Sequence, residues 1–214
     1  MKEINLDKYQ RKLKTRLDKE RYEHTIGVMY TAGSLAMRYG YDIKSAMLAG
    51  LLHDCAKCIP NDKKIALCEK HNINITECER ENPFLLHAKL GAFQAMHKYR
   101  VRDKEIISAI LNHTTGKPNM DLLDKIIFVA DYIEPRRDRA PFLDERRQTA
   151  FVDIDLAMYQ ILGDTLQHLK SKPGSSDPMT EKAYEYYKQL IEAREEKEQN
   201  EQFKGNDEDS VSGA

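Results

Sequence analysis

The chain has 214 residues, with 34 lysines and arginines against 35 aspartates and glutamates and a formal net charge of −1. That balance excludes a surface built for nucleic acid by charge alone, no stretch is apolar enough over enough residues to span a membrane, and the length suffices for one large core. The polar start Met1–Asp7 lacks the apolar run of a signal peptide, so a cytoplasmic location is the expectation, and Cys55, Cys58, Cys68 and Cys78 then read as free thiols.

Helical periodicity runs along the chain from its beginning. Residues 6–18 read as an exposed, charged helix with apolar positions at Leu6, Tyr9, Leu13 and Leu17. A second helix runs from Lys19 to Tyr39 and stops at Gly40, a natural residue to follow a helix. Its inward face carries His24, Val28, Thr31 and Leu35. Asp42 is placed to cap the next helix, whose stripe of Ala46, Ala49, Gly50 and His53 would let a neighbouring helix approach closely. That helix ends in adjacent His53 and Asp54, with Lys57 three residues further on. A buried histidine beside a buried carboxylate needs partners, because a desolvated charge is costly. Hydrogen bonds within the core or a divalent metal would each supply them. Cys55-x-x-Cys58 also admits half a zinc site or a redox motif, but no second such pair follows.

Pro60-Asn61 opens a short helix to His71, which lies among Lys, Glu and Asn and reads as a surface residue. Residues 72–82 are polar and loop-like. Asn82-Pro83 reads as a cap and first helical residue. The following helix holds His87 among Leu86, Leu90, Gly91 and Ala95, whereas His97 beside Lys98 and Arg100 belongs to the surface. Asp103 caps a helix with Ile106, Ile110 and His113 on one face. Thr114-Thr115-Gly116-Lys117-Pro118 breaks that helix, either as an ordinary turn or as a place where hydroxyl and backbone donors meet an anion.

Asp121 caps Leu122–Ile133, which Pro135 ends. Asp131 lies in the most apolar run of the chain, and a carboxylate there calls for a metal or an arginine partner. Residues 134–148 alternate Arg136, Arg137, Arg139, Arg146 and Arg147 with acids. They read either as a solvated loop or as a segment from which an arginine reaches a phosphate beside Asp131. A helix from Asp153 to Lys170 and a last one from Thr180 to Arg194 flank the loop at 173–178. From Glu195 onward an acidic, disordered tail is expected. No strand-like alternation persists, so the fold class is all-α, with one domain over 1–194 and a tail over 195–214.

His24, His53-Asp54, His87, His113 and Asp131 thus fall on or at the ends of separate helices. So many inward histidines and aspartates exceed what a core tolerates without a metal. Imidazole and carboxylate donors without thiolate suit iron, manganese or zinc. Six ligands are too many for one open site and suit two ions sharing a carboxylate, with Asp54 as the natural bridge.

The blocks Arg21-x-x-His24-Thr25, Leu51-Leu52-His53-Asp54-x-x-Lys57, Leu86-His87-Ala88, His113-Thr114-Thr115-Gly116 and Ala130-Asp131-Tyr132-Ile133-Glu134-Pro135-x-Arg137 occur in that order. The chain resembles the HD-domain superfamily of metal-dependent phosphohydrolases, and more closely its symmetrical bis(5′-nucleosyl)-tetraphosphatases, the YqeK family, over residues 18–190. These enzymes split diadenosine tetraphosphate into two ADP. The resemblance implies an HD-domain helical bundle, a bound divalent metal (iron, as one ion or two), a dinucleoside polyphosphate substrate and a homodimer.

Carried onto this chain, it implies that His24, His53, Asp54 and Asp131 hold metal, and that His87 and His113 complete a second metal position or touch substrate phosphate. Arg21, Lys57, Thr114 and Arg137 would contact phosphates near Asp131, and the loop from Gly174 to Met179 would lie near the nucleotide. Asp54 and Lys57 would be the catalytic pair. A hydroxide generated on the metal would attack an inner phosphorus in line while Lys57 and Arg137 offset the developing charge. Cys55 and Cys58 take no role in this scheme. The alternatives are another HD nucleotide phosphohydrolase (a 5′-nucleotidase or a guanosine tetraphosphate hydrolase) and a nucleotide-binding module without turnover.

Overall fold

Short polar residues placed before apolar runs divide the chain into its helices. The computed structural model describes residues 4–171 and 177–211, and these form eleven α-helices and one 3-10 turn with no strand among the described residues. Helix α1 covers Leu6–Lys14. Helix α2, Lys19–Tyr39, begins at Asp18, whose carboxylate accepts the Arg21 N–H at 2.7 Å, and ends at Gly40 in the left-handed region at φ +70°. Only glycine adopts that conformation without strain. Helix α3, Ile43–Leu52, begins at Asp42, which accepts from Ser45 N. Helices α4 (Asn61–Lys70), α5 (Glu77–Glu81), α6 (Leu86–His97) and α7 (Lys104–Asn112) follow. Helix α8 spans Leu122–Ile133, α9 Leu143–Val152, α10 Ile154–Lys170 and α11 Pro178–Val211.

The main core draws Met29 and Leu35 from α2, Leu51 and Leu52 from α3, Ile106 and Ile110 from α7, Ile126 and Ile127 from α8, and Ile161 and Leu162 from α10. A satellite cluster of Ala56, Cys68, Leu86 and Leu90 lies under α4 and α6. The small-residue stripe of α3 works as expected. A Cβ on Gly50 would stand 3.1 Å from Met29 Cα and 3.1 Å from the Val28 carbonyl oxygen, so α3 lies on the α2 backbone itself. Close seating of α3 on α2 brings His53, at the end of α3, beside His24 on α2, with ring centroids 5.5 Å apart.

Several boundaries differ from the sequence-based expectation. Helix α1 ends at Lys14 rather than residue 18, because Thr15 caps it and Asp18 is committed to starting α2; Leu17 is still buried in the intervening turn. Residues 72–82 are not all loop. A reciprocal capping box between Thr76 and Glu79 nucleates α5. Asn82 makes no side-chain cap bond to the turn it precedes and instead donates from Nδ2 to the Cys78 carbonyl of α5 at 3.1 Å, and Pro83 opens the 3-10 turn Pro83–Leu85 ahead of α6. Asp121 likewise stands at the cap position of α8 without a side-chain cap bond. Part of the arginine-rich segment is α9, which buries only Ala150 and therefore shows little apolar periodicity. Helix α11 begins at Pro178 and continues to Val211, beyond Arg194 and through most of the segment expected to be disordered. Its Glu, Lys and Gln content favours helix, and Lys197 pairs with Glu201 one turn on.

Helix α11 is fastened by Arg194, which meets Asp155 at 2.5 Å, while Lys125 of α8 meets the same carboxylate at 2.8 Å. Burial disfavours the Asp155 charge, but Lys125 and Arg194 outweigh it and hold its carboxyl below the ordinary value.

Two outcomes follow for stability. Gly50→Ala forces a methyl group against backbone and should cost about 1–3 kcal/mol in urea denaturation. Asp155→Asn should cost about 1–3 kcal/mol near neutral pH. A depressed carboxyl contributes above its ordinary value of 3.8 and loses that contribution as pH falls through its folded value. The gap between the melting curves of the variant and the unaltered protein should therefore close in acid.

Candidate functional site

Four imidazoles converge where α2, α3, α6 and α7 meet. His53 and His113 are the C-caps of α3 and α7, and their Nδ1–H groups donate to the Gly50 and Ile110 carbonyls at 2.6 and 2.8 Å. His87, in the first turn of α6, donates from Nδ1 to the Phe84 carbonyl at 2.6 Å. A carbonyl can only accept, so each of these Nδ1 atoms carries a proton, and the neutral ring presents a bare Nε2 to its neighbours. Burial pushes His53 and His87 down to about 4, which keeps both rings neutral. His87 Nε2 and His113 Nε2 are 3.1 Å apart, and His53 and His113 stand edge to face at 5.0 Å. His24 completes the set from α2, with Nδ1 donating to Glu134 at 3.1 Å.

Two carboxylates enter this cluster. Asp54, 1% exposed, sets Oδ1 at 3.2 Å from His87 Nε2 and 3.5 Å from His113 Nε2, and Oδ2 at 3.7 Å from His53 Nε2. Asp131 on α8 sets Oδ1 at 3.0 Å from His24 Nε2 and 3.8 Å from His53 Nε2. Burial opposes the charge on Asp54, but positive groups that face it, the Lys57 ammonium among them, hold its carboxyl well below the usual range. Burial also opposes the charge on Asp131, and His24, His53 and Arg137 outweigh it in the same way. Burial pulls the His24 proton off, yet the nearby Asp131 and Glu134 carboxylates prevail and raise it to about 9. A position where two carboxylates hold an imidazolium is one that favours a cation.

The side chains fit a divalent metal on their own evidence. His24 Nε2, His53 Nε2 and Asp54 Oδ1 are buried without an aligned hydrogen-bond partner. Such orphaned atoms are rare in a core. Within 4.8 Å of one another lie the donor atoms of His24, His53 and Asp131, and also those of His53, Asp54 and His113. Nitrogen and carboxylate donors in this number suit a borderline or hard divalent ion. His53 belongs to both groupings, while Asp54 turns one oxygen to each side.

Cations and a hydroxyl surround the cluster. Arg21, one turn ahead of His24, meets Asp54 Oδ2 at 3.0 Å. Lys57 Nζ lies 3.6 Å from Asp54 Oδ1 and 3.1 Å from His87 Nε2. Thr114 Oγ1 lies 3.1 Å from both His87 and His113. Arg137 donates to the Asp131 carboxylate at 2.9 Å and to its carbonyl at 2.8 Å. Asp131 thus has the arginine partner and the metal-ready neighbours that the sequence offered as alternatives. A cleft of about 680 Å³, lined among others by Arg21, His24, Glu134, Arg136, Arg137 and Arg139, opens beside the cluster.

The structure therefore brings together Arg21, His24, His53, Asp54, Lys57, His87, His113, Thr114, Asp131 and Arg137. Gly174 lies outside the described residues. Met179 stands exposed in the first turn of α11, one turn ahead of Ala183, which would touch a Cβ on Gly116 of the threonine turn at 3.4 Å. Not every arginine of the 134–148 segment serves the cleft. Arg146 pairs with Asp164 at 2.7 Å, and Arg147 donates to the Ile133, Glu134 and Arg137 carbonyls, so both brace the loop. His71 and His97 flank Phe93 on the surface, as their basic and polar neighbours implied. Sequence reasoning assigned no role to Glu134, which is 1% exposed and bonded to His24. Its position three residues after Asp131, one helical turn further along the chain, was the available signal.

The HD-domain family matches residues 21–136. The chain is 42% identical over 162 residues, 75% of its length and 85% of the relative's, to "Bis(5′-nucleosyl)-tetraphosphatase, symmetrical" of Bacillus subtilis (strain 168). It is 38% identical over 189 residues, 88% of its length and 98% of the relative's, to the protein of the same description from Halalkalibacterium halodurans. A solved structure from Clostridium acetobutylicum, described as a "predicted HD superfamily hydrolase involved in NAD metabolism", aligns with a TM-score of 0.83 at 37% identity, covering 87% of this chain and 98% of that one. The chain belongs to the HD-domain family and, within it, to the symmetrical bis(5′-nucleosyl)-tetraphosphatases.

Proposed function

We propose that this protein hydrolyses diadenosine tetraphosphate symmetrically to two ADP in a metal-dependent reaction. The observation that carries the reading is the meeting of inward Nε2 atoms and two carboxylates beside a cleft rimmed by arginines. The names of the relatives supply the substrate. His24, His53, Asp54 and Asp131, completed by His87 and His113, would hold one or two divalent ions, with Asp54 shared between them. Iron is the ion proposed, with manganese able to serve. A divalent ion there would lower the pKa of water and polarise a phosphoryl oxygen.

The residues of the chain supply the rest. Arg21 and Arg137 stand at the two carboxylates and present guanidinium donors to the phosphates. Lys57 and Thr114 place an ammonium and a hydroxyl beside His87, where charge grows on a phosphoryl oxygen. Asp54 orients the attacking water. Water adds to the phosphorus second from one adenosine, the bridging P–O bond on its far side breaks, the far half leaves as ADP, and the attacked half, having gained the water oxygen and released its proton to solvent, is the second ADP. No strong general acid is needed, because ADP is a good leaving group when its charge is offset.

The homodimer is proposed on an exposed apolar strip. Tyr30 is 60% exposed, Met37 63% and Val152 73%, and the Arg38–Phe151 and Tyr39–Ala150 bonds hold the end of α9 against the end of α2. Four free thiols suit a cytoplasmic setting, and no helix among the described residues is long and apolar enough to cross a membrane.

Chromatography of the products from diadenosine tetraphosphate with ferrous or manganous ion should show ADP alone. AMP with ATP would overturn the attack position, and no product with any divalent ion would overturn the assignment. Asp54→Ala should lower turnover by about a thousandfold or more while circular dichroism keeps the helical signature of the folded chain; unchanged turnover would remove Asp54 from the site. Chelation should abolish turnover, and added manganous or ferrous ion should restore it.

A further inference from the structure

His53, His87 and His113 fix their rings with carbonyls of their own segments, and each does so near a helix end. At the C-termini of α3 and α7 the last carbonyls stand free for His53 and His113, and His87 reaches back to a carbonyl of the 3-10 turn that precedes α6. His24 has no such recourse. It sits within the 21-residue helix α2, where the carbonyls one turn back are taken by the helix ladder. Its Nδ1–H is met from another element, by Glu134 Oε1 at 3.1 Å. Glu134 is 1% exposed, and its second oxygen accepts the Arg136 N–H at 2.8 Å, which sets the plane of the carboxylate.

The space that this carboxylate fills is left open by a glycine. Gly27 lies one turn after His24 on the same helix. A Cβ there would overlap Glu134 Oε2 and stand 3.1 Å from its Cδ. Elsewhere in a helix interior, glycine costs stability relative to alanine. Here the missing side chain admits a buried carboxylate to the flank of a metal-facing histidine.

We propose that Glu134 is the positioning residue for His24 as a metal ligand, and that Gly27 is required because it houses the Glu134 carboxylate. The inference rests on the metal-holding reading given above. A carboxylate behind an imidazole fixes which nitrogen carries the proton and strengthens the other as a donor to metal. Unlike the three carbonyl-anchored rings, His24 depends for its orientation on a contact between α2 and the end of α8.

The test is isothermal titration of the full-length, metal-stripped protein with manganous ion, comparing the unaltered chain with Glu134→Gln, Glu134→Ala and Gly27→Ala, with melting temperatures recorded in parallel. Glu134→Ala and Gly27→Ala should weaken manganous ion binding about ten- to hundredfold, and Glu134→Gln, which keeps one acceptor oxygen, should recover part of the loss. Nitrogen-15 spectra should show the His24 Nδ1 proton in the unaltered chain and its loss in Glu134→Ala. Equal affinity in folded Glu134→Ala and Glu134→Gln would overturn the inference even if Gly27→Ala does not fold. No binding by the unaltered chain would overturn the metal-holding reading itself, and with it the role given to Glu134.

Discussion

The structure depends on stabilising one buried charge. Asp54 is withdrawn from water in the centre of the helical array, where a lone carboxylate would be prohibitively costly. Arg21, Lys57, His53, His87 and His113 all come within 4 Å of it. They arrive from α2, the turn after α3, α6 and α7. Arg21 and Lys57 offset this charge, the three Nε2 lone pairs crowd around it, and a divalent ion placed there would satisfy both.

Helix ends do much of the orienting. His53 and His113 terminate α3 and α7. At a C-terminus the last carbonyls have no partner in the helix, so a histidine placed there finds an acceptor for Nδ1 and turns Nε2 inward. The following backbone is then free to redirect the chain, toward Asp54 and Lys57 after α3 and toward Thr114 after α7. In the threonine turn, Gly116 at φ +66° takes the left-handed conformation that such a reversal requires. Small residues on α3 and α6 let these ends come together. A Cβ on Gly91 would stand 3.3 Å from the His53 carbonyl oxygen and 3.3 Å from Ile110.

The cleft beside this cluster separates two uses of arginine. Arg21 and Arg137 touch the Asp54 and Asp131 carboxylates, and Arg136 and Arg139 line the approach. Arg146 and Arg147 lie behind on α9, where Arg146 ties α9 to α10 and Arg147 holds the carbonyls of the loop after α8. Charge on the surface of a sequence says little about which of these tasks a given arginine performs, because both place the guanidinium beside an acid or a carbonyl.

The sequence by itself determined the all-α class, the α2 and α3 boundaries with Gly40 and Asp42 at their ends, and the histidines that face inward. Those features depend on local backbone chemistry and on apolar periodicity, both of which are written within a few residues. It also marked Asp54 and Asp131, since carboxylates in apolar runs are conspicuous. Helix α9 and the extension of α11 were hidden because neither has a wide apolar face. Only the tertiary structure decided which histidine is held by what. Glu134 is 110 residues from His24 along the chain, and its role depends on a cavity beside Gly27 that exists only when α2 packs against the end of α8. A contact between distant segments is set by the packing of the whole core, so no local pattern around either residue announces it.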